Sequence, residues 1–171
     1  MDDDGFYERN GEEIGFVISV MSGEQDRIDI AQAAAQQLQE IGINCTVDIP
    51  AQMDWGGQMA CLIGWGSPFD ADDHTYKVFG TDKGANYSGY SNEKVDEYLT
   101  LARQYEDQET RAKYYDLFQE ELAKDPAYAF ICYIDANYVA DSDIKGISEK
   151  TVLGHHGVGI FWNIQEWEIV K

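Results

Sequence analysis

The clearest indication of architecture is "IGFVISVMSGEQDRIDIAQAAAQQLQEIGINCTVDI", residues 14–49. It opens with an apolar run rich in β-branched side chains, which is typical of a central strand. From Arg27 to Ile41 the apolar residues recur at helical spacing, and Gly42 stands where helices commonly end. The last residues alternate between apolar and polar side chains, as in a half-buried strand. The stretch therefore predicts a right-handed βαβ unit.

The sequence after this unit continues to alternate between strand-like and helical patterns. "MACLIGW" (59–65) predicts a third strand, and "DDHTYKVF" (72–79) predicts a short helix. Two longer helices follow, with Ser91 and Asp107 as their N-caps. Each of them carries apolar side chains at spacings of three and four, so each is expected to bury one face.

The remaining segments complete the predicted domain. "YAFICYI" (128–134) predicts a strand, and "YVA" (138–140) predicts its hairpin return. Residues 1–13 are polar and predict a surface turn. The whole chain, 1–171, is therefore expected to be a single α/β domain in which helices flank one mixed β-sheet.

The charge of the chain limits its partners. Its 171 residues carry a formal net charge of -20, so a nucleic acid is not expected as a partner, since its phosphates would be repelled. A cationic ligand would be attracted. No apolar run is long enough to span a bilayer. The acidic start does not resemble a signal peptide, so we expect either a cytoplasmic protein or a piece of a longer precursor.

Cysteine and histidine spacing gives no metal site. Cys45, Cys61 and Cys132 fall in apolar runs that predict strands, and no two of them have zinc-site spacing. Buried free thiols are therefore expected. His74 and the aspartates near it also lack a recognised ligand spacing. Neither a metal nor a cofactor is expected.

The stretch "LIGWGSPFDADDHTYKVF" (62–79) ends a predicted strand with aromatic and acidic residues. Ligands of open α/β sheets bind beyond the carboxyl ends of the strands, so Trp65 is predicted to face a cleft. Carboxylates beside it suit an ammonium or guanidinium group. The candidate ligand-binding residues are Trp65, Gly66, Ser67, Phe69, Asp70 and Asp72. The alternative from spacing alone is a core tryptophan followed by an acidic turn that caps a helix.

The sequence offers little for catalysis. It has no G-x-S-x-G elbow, no H-E-x-x-H motif and no phosphate-binding loop. A cytoplasmic α/β enzyme would depend on Cys61 as a nucleophile or on the carboxylates near His74, and this is the alternative function. A third hypothesis is an interaction domain whose exposed aromatic residues contact a protein partner.

Several stretches, taken in order, resemble the extracytoplasmic solute-binding proteins of bacterial peptide and nickel ABC importers. They are "IAQAAAQQLQEIGINCTVDI" (30–49), "LIGWGSPFDADDHTYKVF" (62–79), "GYSNEKVD" at the start of 89–134, "IKGI" (144–147) and a tryptophan in the tail. The resemblance covers almost all of residues 14–167.

The resemblance implies a periplasmic-binding-protein-like fold, in which two lobes joined by a hinge enclose a ligand. The chain would be the carboxy-terminal lobe, and its partners would be the missing amino-terminal lobe and an ABC permease. It would bind an oligopeptide or a small cationic or chelate ligand and would catalyse no reaction. Its location would be extracytoplasmic, either in the periplasm or on the membrane as a lipoprotein.

The resemblance also assigns a role to Trp65, which matches the cleft tryptophan of the family. Peptide-binding members typically carry an aspartate three positions later, where this chain has Pro68. "WGSPFD" (65–70) is closer to nickel-chelate members, in which the aromatic residue at the place of Phe69 also faces the cleft. The resemblance thus implies a ligand wall around Trp65 and leaves peptides and chelates as alternative ligands.

Overall fold

The computed structural model describes residues 4–66, 70–135, 137–148 and 159–170. The chain forms two compact units, Met1–Gly64 and Trp65–Lys171. Each unit has its own hydrophobic cluster. Each unit is a compact body by itself. The single lobe over residues 1–171 therefore stays a prediction.

The first unit begins with a short hairpin. β1 (Glu8–Arg9) pairs antiparallel with β2 (Glu12–Glu13), so Arg9 lies opposite Glu12. Asn-Gly, at positions 10 and 11, forms the two-residue connection, and this dipeptide is a strong hairpin signal. The segment predicted as a polar surface turn therefore contains a paired element.

A parallel three-stranded sheet forms the centre of the first unit. Its strands, in the order β4-β3-β5, are β3 (Gly15–Ser19), β4 (Asn44–Asp48) and β5 (Ala60–Cys61). Helix α1 (Gln25–Glu40) connects β3 to β4, which confirms the predicted βαβ unit. β5 is shorter than the predicted strand 59–65, because its partner β3 ends at Ser19, opposite Cys61.

Helix α1 ends as its sequence predicts. Gly42 has a φ of +86°, in the left-handed region that favours glycine. Its N–H donates to the carbonyl of Gln39 at 3.0 Å, and the N–H of Ile43 donates to Leu38 at 3.0 Å. These two bonds form a Schellman motif, which turns the chain from α1 directly into β4.

Three helices form the centre of the second unit. They are α2 (Asp72–Phe79), α3 (Glu93–Gln104) and α4 (Gln108–Lys124), and α3 packs against both of the others. Their shared cluster contains the buried residues Tyr90, Val95, Leu99, Phe118 and Leu122. Within the described parts of the chain, no helix is both long enough and apolar enough to cross a membrane.

The N-caps of α3 and α4 were predicted with unequal success. The carboxylate of Asp107 accepts hydrogen bonds from the N–H groups of Glu109 and Thr110, as predicted. The cap of α3 is Asn92, not Ser91, so that prediction was wrong by one position. Both residue types are good caps, and the amide of Asn92 is the one that reaches the first free N–H groups.

The predicted strand 128–134 and its hairpin return are wrong. Of the described residues between 127 and 143, none lies in a strand. The only strand pair described in the second unit joins β6 (Ile144–Lys145) to β7 (Glu168–Ile169), after a kinked 3₁₀ helix over Gly159–Glu166. A β-prone composition gives a strand only where a neighbouring strand completes the ladder.

Candidate functional site

Trp65 lies in a small group of aromatic rings, the aromatic cluster of Trp65, His74 and Tyr87. The indole stacks on the Tyr87 ring, with centroids 6.1 Å apart and planes inclined by 12°. The imidazole of His74 lies 5.5 Å from the indole and is tilted by 50°. Trp65 is 37% exposed. The indole is therefore held by two neighbours and keeps part of its surface open to solvent.

His74 fixes the main chain next to Trp65. This residue belongs to α2, and its Nδ1 lies 3.0 Å from the carbonyl oxygen of Gly66. Because a carbonyl oxygen only accepts hydrogen bonds, the contact requires the proton on Nδ1. Gly66, a predicted ligand contact, thus bonds to α2 through its carbonyl.

Asp70 forms a two-pronged ion pair with an arginine of α4. Arg111 Nη2 donates to Oδ1 at 2.7 Å, and Nη1 donates to Oδ2 at 3.1 Å. These hydrogen bonds, together with one from the N–H of Asp72, hold the pKa of Asp70 below its ordinary value. The carboxylate that was predicted to receive a ligand cation already has a cationic partner.

Asp72 is paired in a similar way. Its Oδ1 lies 3.2 Å from Nε of Arg103 in α3. The guanidinium of Arg103 also lies 4.0 Å from the ring centroid of Tyr76, in α2. The two acidic residues at the start of α2 therefore connect this helix to both of its neighbours.

The two remaining predicted contacts, Ser67 and Phe69, lie outside the described residues. Gly64, the residue before Trp65, was not a predicted contact. It belongs to the first unit, where a Cβ would come 2.5 Å from Nη2 of Arg27. The close approach that the glycine permits is therefore made to the Arg27 guanidinium of α1. No local sequence pattern indicates this contact, because it depends on how α1 lies against the chain after β5.

Three residues next to the predicted site were missed by sequence reasoning. They are Tyr87, Arg103 and Arg111. Tyr87 lies in a loop without periodicity, so no pattern distinguishes it. The sequence indicates only that the two arginines form ion pairs, since a chain with 12 basic and 32 acidic residues offers each cation many acidic partners. Which acid each one binds depends on helix packing.

Two surface concavities lie among the described residues, one in each unit. In the first unit, a shallow cavity of about 290 Å³ is lined by Phe16, Val17, Thr46 and Met59, among others. In the second unit, an apolar groove of about 690 Å³ lies along α2 and α4 and includes Phe79, Phe118, Phe130 and Tyr133. Trp65 does not line either of them.

The three cysteines lie in different surroundings. Cys45 is buried, and burial raises the pKa of its thiol, which disfavours the thiolate. Cys61 is half-buried in β5, and Cys132 is exposed, contrary to the prediction that it lies buried in a strand. Among the described residues, no group of three or more histidines, cysteines or acids could hold a metal ion.

Comparison with known proteins gives a consistent set of relatives. No family model matches the chain. The oligopeptide-binding protein AppA of Bacillus subtilis is 25% identical over 98% of the chain and 32% of its own length. Protein XP55 of Streptomyces lividans is 31% identical over 85% of the chain and 28% of its own length.

Solved structures share the fold. NikZ from Campylobacter jejuni, in complex with Ni(L-His), superposes with a TM-score of 0.78 and 36% identity, over 98% of the chain and 36% of NikZ. AppA of B. subtilis, in complex with a nonapeptide, gives a TM-score of 0.74 and 23% identity over 99% of the chain. The chain thus spans about a third of the length of the proteins that it matches.

Proposed function

We propose that this chain, a relative of the solute-binding proteins of peptide and nickel ABC importers, forms the carboxy-terminal ligand-binding lobe of such a protein. The observation that carries the proposal is that Trp65 is partly exposed and that its indole contacts the rings of Tyr87 and His74. Aromatic faces that are both rigid and accessible suit ligand recognition. The lobe catalyses no reaction: ligand binding favours a closed state, and that state docks on the permease.

The proposed ligand wall consists of Trp65 and the residues that follow it. Trp65 supplies the apolar contact, and Gly66 supplies a backbone that α2 holds in place. Asp70 and Asp72 belong to the wall, but their charges are balanced by arginines, so their role is to fix its shape. Ser67 and Phe69 remain predictions, because they lie outside the described residues.

The ligand is proposed to be an oligopeptide or a small metal chelate. The two solved relatives were found with these two kinds of ligand, a nonapeptide and Ni(L-His). The strongly acidic chain favours ligands with a net positive charge through its long-range field. The location is proposed to be extracytoplasmic, in the periplasm or on the membrane through a lipid anchor.

A companion lobe is proposed as the first partner, on the evidence of an exposed apolar segment, residues 127–140. Among its described residues, Tyr133 is 102% exposed, Val139 98% and Phe130 69%. Such a cluster of exposed apolar side chains marks a surface that another polypeptide covers. The matched proteins are about three times as long as this chain, so they contain the additional polypeptide that such a cover requires.

The binding role can be tested with a nonapeptide and with the nickel–histidine complex as probes. A single lobe covers only one side of a ligand, whereas a complete pocket buries about 70–90% of a small ligand's surface, so we expect weak binding. NMR titration of the chain detects such binding. We expect Trp65→Ala to weaken it about tenfold, as for the loss of a central aromatic contact.

The matched control is Trp55→Ala. Trp55 is also 37% exposed but lies in the first unit, so its removal should leave the affinity unchanged. Equal affinities of the wild type and Trp65→Ala for both probes would overturn the assignment of Trp65.

A further inference from the structure

Arg111 uses its whole guanidinium group to connect two distant parts of the second unit. Two of its nitrogens grip the carboxylate of Asp70, and its Nε donates to the carbonyl of Ala102 at 3.3 Å. The partners come from α3 and from the segment just before α2. A planar fork with all three nitrogens engaged has little freedom to move, so it fixes Asp70 relative to α3 and α4.

Asp70 is also hydrogen-bonded to the amino-terminal end of α2. Its Oδ1 accepts a hydrogen bond from the N–H of Asp72, the first residue of the helix, at 2.8 Å. Its main-chain carbonyl accepts one from the N–H of Asp73 at 3.2 Å. Asp70 therefore binds the amino-terminal end of α2, while Arg111 binds the carboxylate of Asp70.

Helix α2 in turn carries the contact to the indole. His74, in the first turn of α2, bonds to the Gly66 carbonyl and packs against the Trp65 ring. A continuous series of contacts thus runs from Arg111 through Asp70 and α2 to Trp65. Tyr87 supports the indole independently through ring stacking.

We propose that Arg111 is a positioning residue for Trp65: its ion pair with Asp70 sets the orientation of the indole through α2 and His74. The importance of that orientation for ligand binding rests on the proposed function. The orientation itself does not depend on any ligand. It can therefore be tested in the free chain.

The experiment uses the full chain labelled with 5-fluorotryptophan and observed by fluorine NMR. Each of the four tryptophans gives a separate resonance, and replacing each one by phenylalanine assigns the spectrum. The variants are Arg111→Met, which removes the fork, and Asp70→Asn, which removes the charge and keeps the shape of the side chain. Arg111→Lys keeps the charge but loses the fork.

The proposal predicts a local and shared response. The Trp65 resonance should shift in Arg111→Met and in Asp70→Asn, and the double variant should shift it no further than either single change. Arg111→Lys should restore the resonance only in part, because one ammonium cannot replace two parallel hydrogen bonds. The resonances of Trp55, Trp162 and Trp167 should stay in place.

Lys94→Met is the matched control. It also removes one positive charge from the α3–α4 pair, where Lys94 lies 3.8 Å from Glu121, but it has no contact with α2 among those described. Its spectrum should match the wild type. An unchanged Trp65 resonance in Asp70→Asn, or a common shift of all four resonances in that variant, would overturn the proposal.

Asp70→Asn is the milder change, so it tests the positioning role of the Arg111–Asp70 pair even if Arg111→Met fails to fold. The result is also distinct from a failure of the proposed function. A chain that passes the NMR test but binds neither nonapeptide nor nickel–histidine would keep Arg111 as a positioning residue and lose the ligand site.

Discussion

Asp70 is charged at a lower pH in the folded chain than in the unfolded chain, because Arg111 donates two hydrogen bonds to its carboxylate. A group whose pKa is lowered by folding contributes stability above its unfolded pKa, about pH 4 for an aspartate. That contribution is lost as the pH falls through the lower, folded pKa. The ion pair is therefore fully formed across the neutral range.

The first prediction concerns the pH dependence of this pair. At about pH 6 the wild type should have a higher urea midpoint than Arg111→Met, and the difference should shrink once the pH falls below about 4. In an Asp70→Asn background, Arg111→Met should cause no such pH-dependent difference. A difference of constant size at every pH would contradict this role of the pair.

Asn163 is a second residue whose contacts can be tested singly. It is 1% exposed, and its amide donates to the carbonyl of Gly146 at 2.8 Å and to the carboxylate of Glu166. Its oxygen accepts the indole N–H of Trp167 at 3.1 Å. One side chain thus connects the kinked 3₁₀ helix to the residue that follows β6.

Asn163→Ala should lower the free energy of unfolding by about 1–3 kcal/mol, because it leaves buried polar groups without partners. Urea titration followed by circular dichroism measures this loss. Gln119→Ala, at an exposed residue that also donates to a main-chain carbonyl, is the control and should cost less. Equal losses would show that Asn163 is not the centre of this connection.

At the level of single residues, the sequence indicated which residues belong to the candidate site but not which side chains they contact. Trp65, Asp70 and Asp72 stand out in the sequence because aromatic and acidic residues follow an apolar run. Their actual neighbours come from α3, α4 and the loop with Tyr87, at separations that no local pattern spans. The pairing of Asp70 therefore required the packed helices.

At the scale of elements, the helices and the βαβ unit followed from local rules. Helical spacing predicted α1, α3 and α4, and Gly42 predicted the end of α1. These signals are local, since a helix forms its hydrogen bonds within one segment. The strand predicted at 128–134 failed because a strand needs a partner, and β propensity alone does not provide one.

The cap of α3 gives a prediction at this scale. Asn92→Ala should cost about 1 kcal/mol of unfolding free energy, since two N–H groups of the first turn lose their acceptor. Ser91→Ala should change stability by less than about 0.5 kcal/mol. Urea titration of the two variants side by side checks this. A larger loss in Ser91→Ala would return the cap to the position that the sequence suggested.

At the scale of the whole molecule, the predicted relationship and fold are confirmed. The chain is related to peptide and nickel solute-binding proteins, and it has a periplasmic-binding-protein-like α/β fold. Among the described residues, the strands form one parallel sheet and two antiparallel pairs, and not the one mixed sheet that the sequence predicted. Under the proposed function, a companion lobe would cover the apolar side chains of segment 127–140, which are exposed in this chain.

This segment predicts self-association. Sedimentation velocity should show the chain forming larger species as its concentration rises, because apolar side chains such as Phe130 and Tyr133 remain exposed. Replacing both of them by serine should reduce the association. Replacing Tyr105 by serine, an exposed aromatic residue between α3 and α4, serves as the control and should not. A chain that stays monomeric at high concentration would argue against a covered surface.

The proposal that Trp65 forms part of a ligand wall is tested most directly by fluorine NMR. The Trp65 resonance is followed while the labelled chain is titrated with the nonapeptide or with the nickel–histidine complex. We predict that at least one probe shifts or broadens this resonance in a saturable way and leaves that of Trp55 unchanged. If both probes leave the Trp65 resonance unmoved at millimolar concentration, the indole does not form a ligand wall and the proposed function is contradicted.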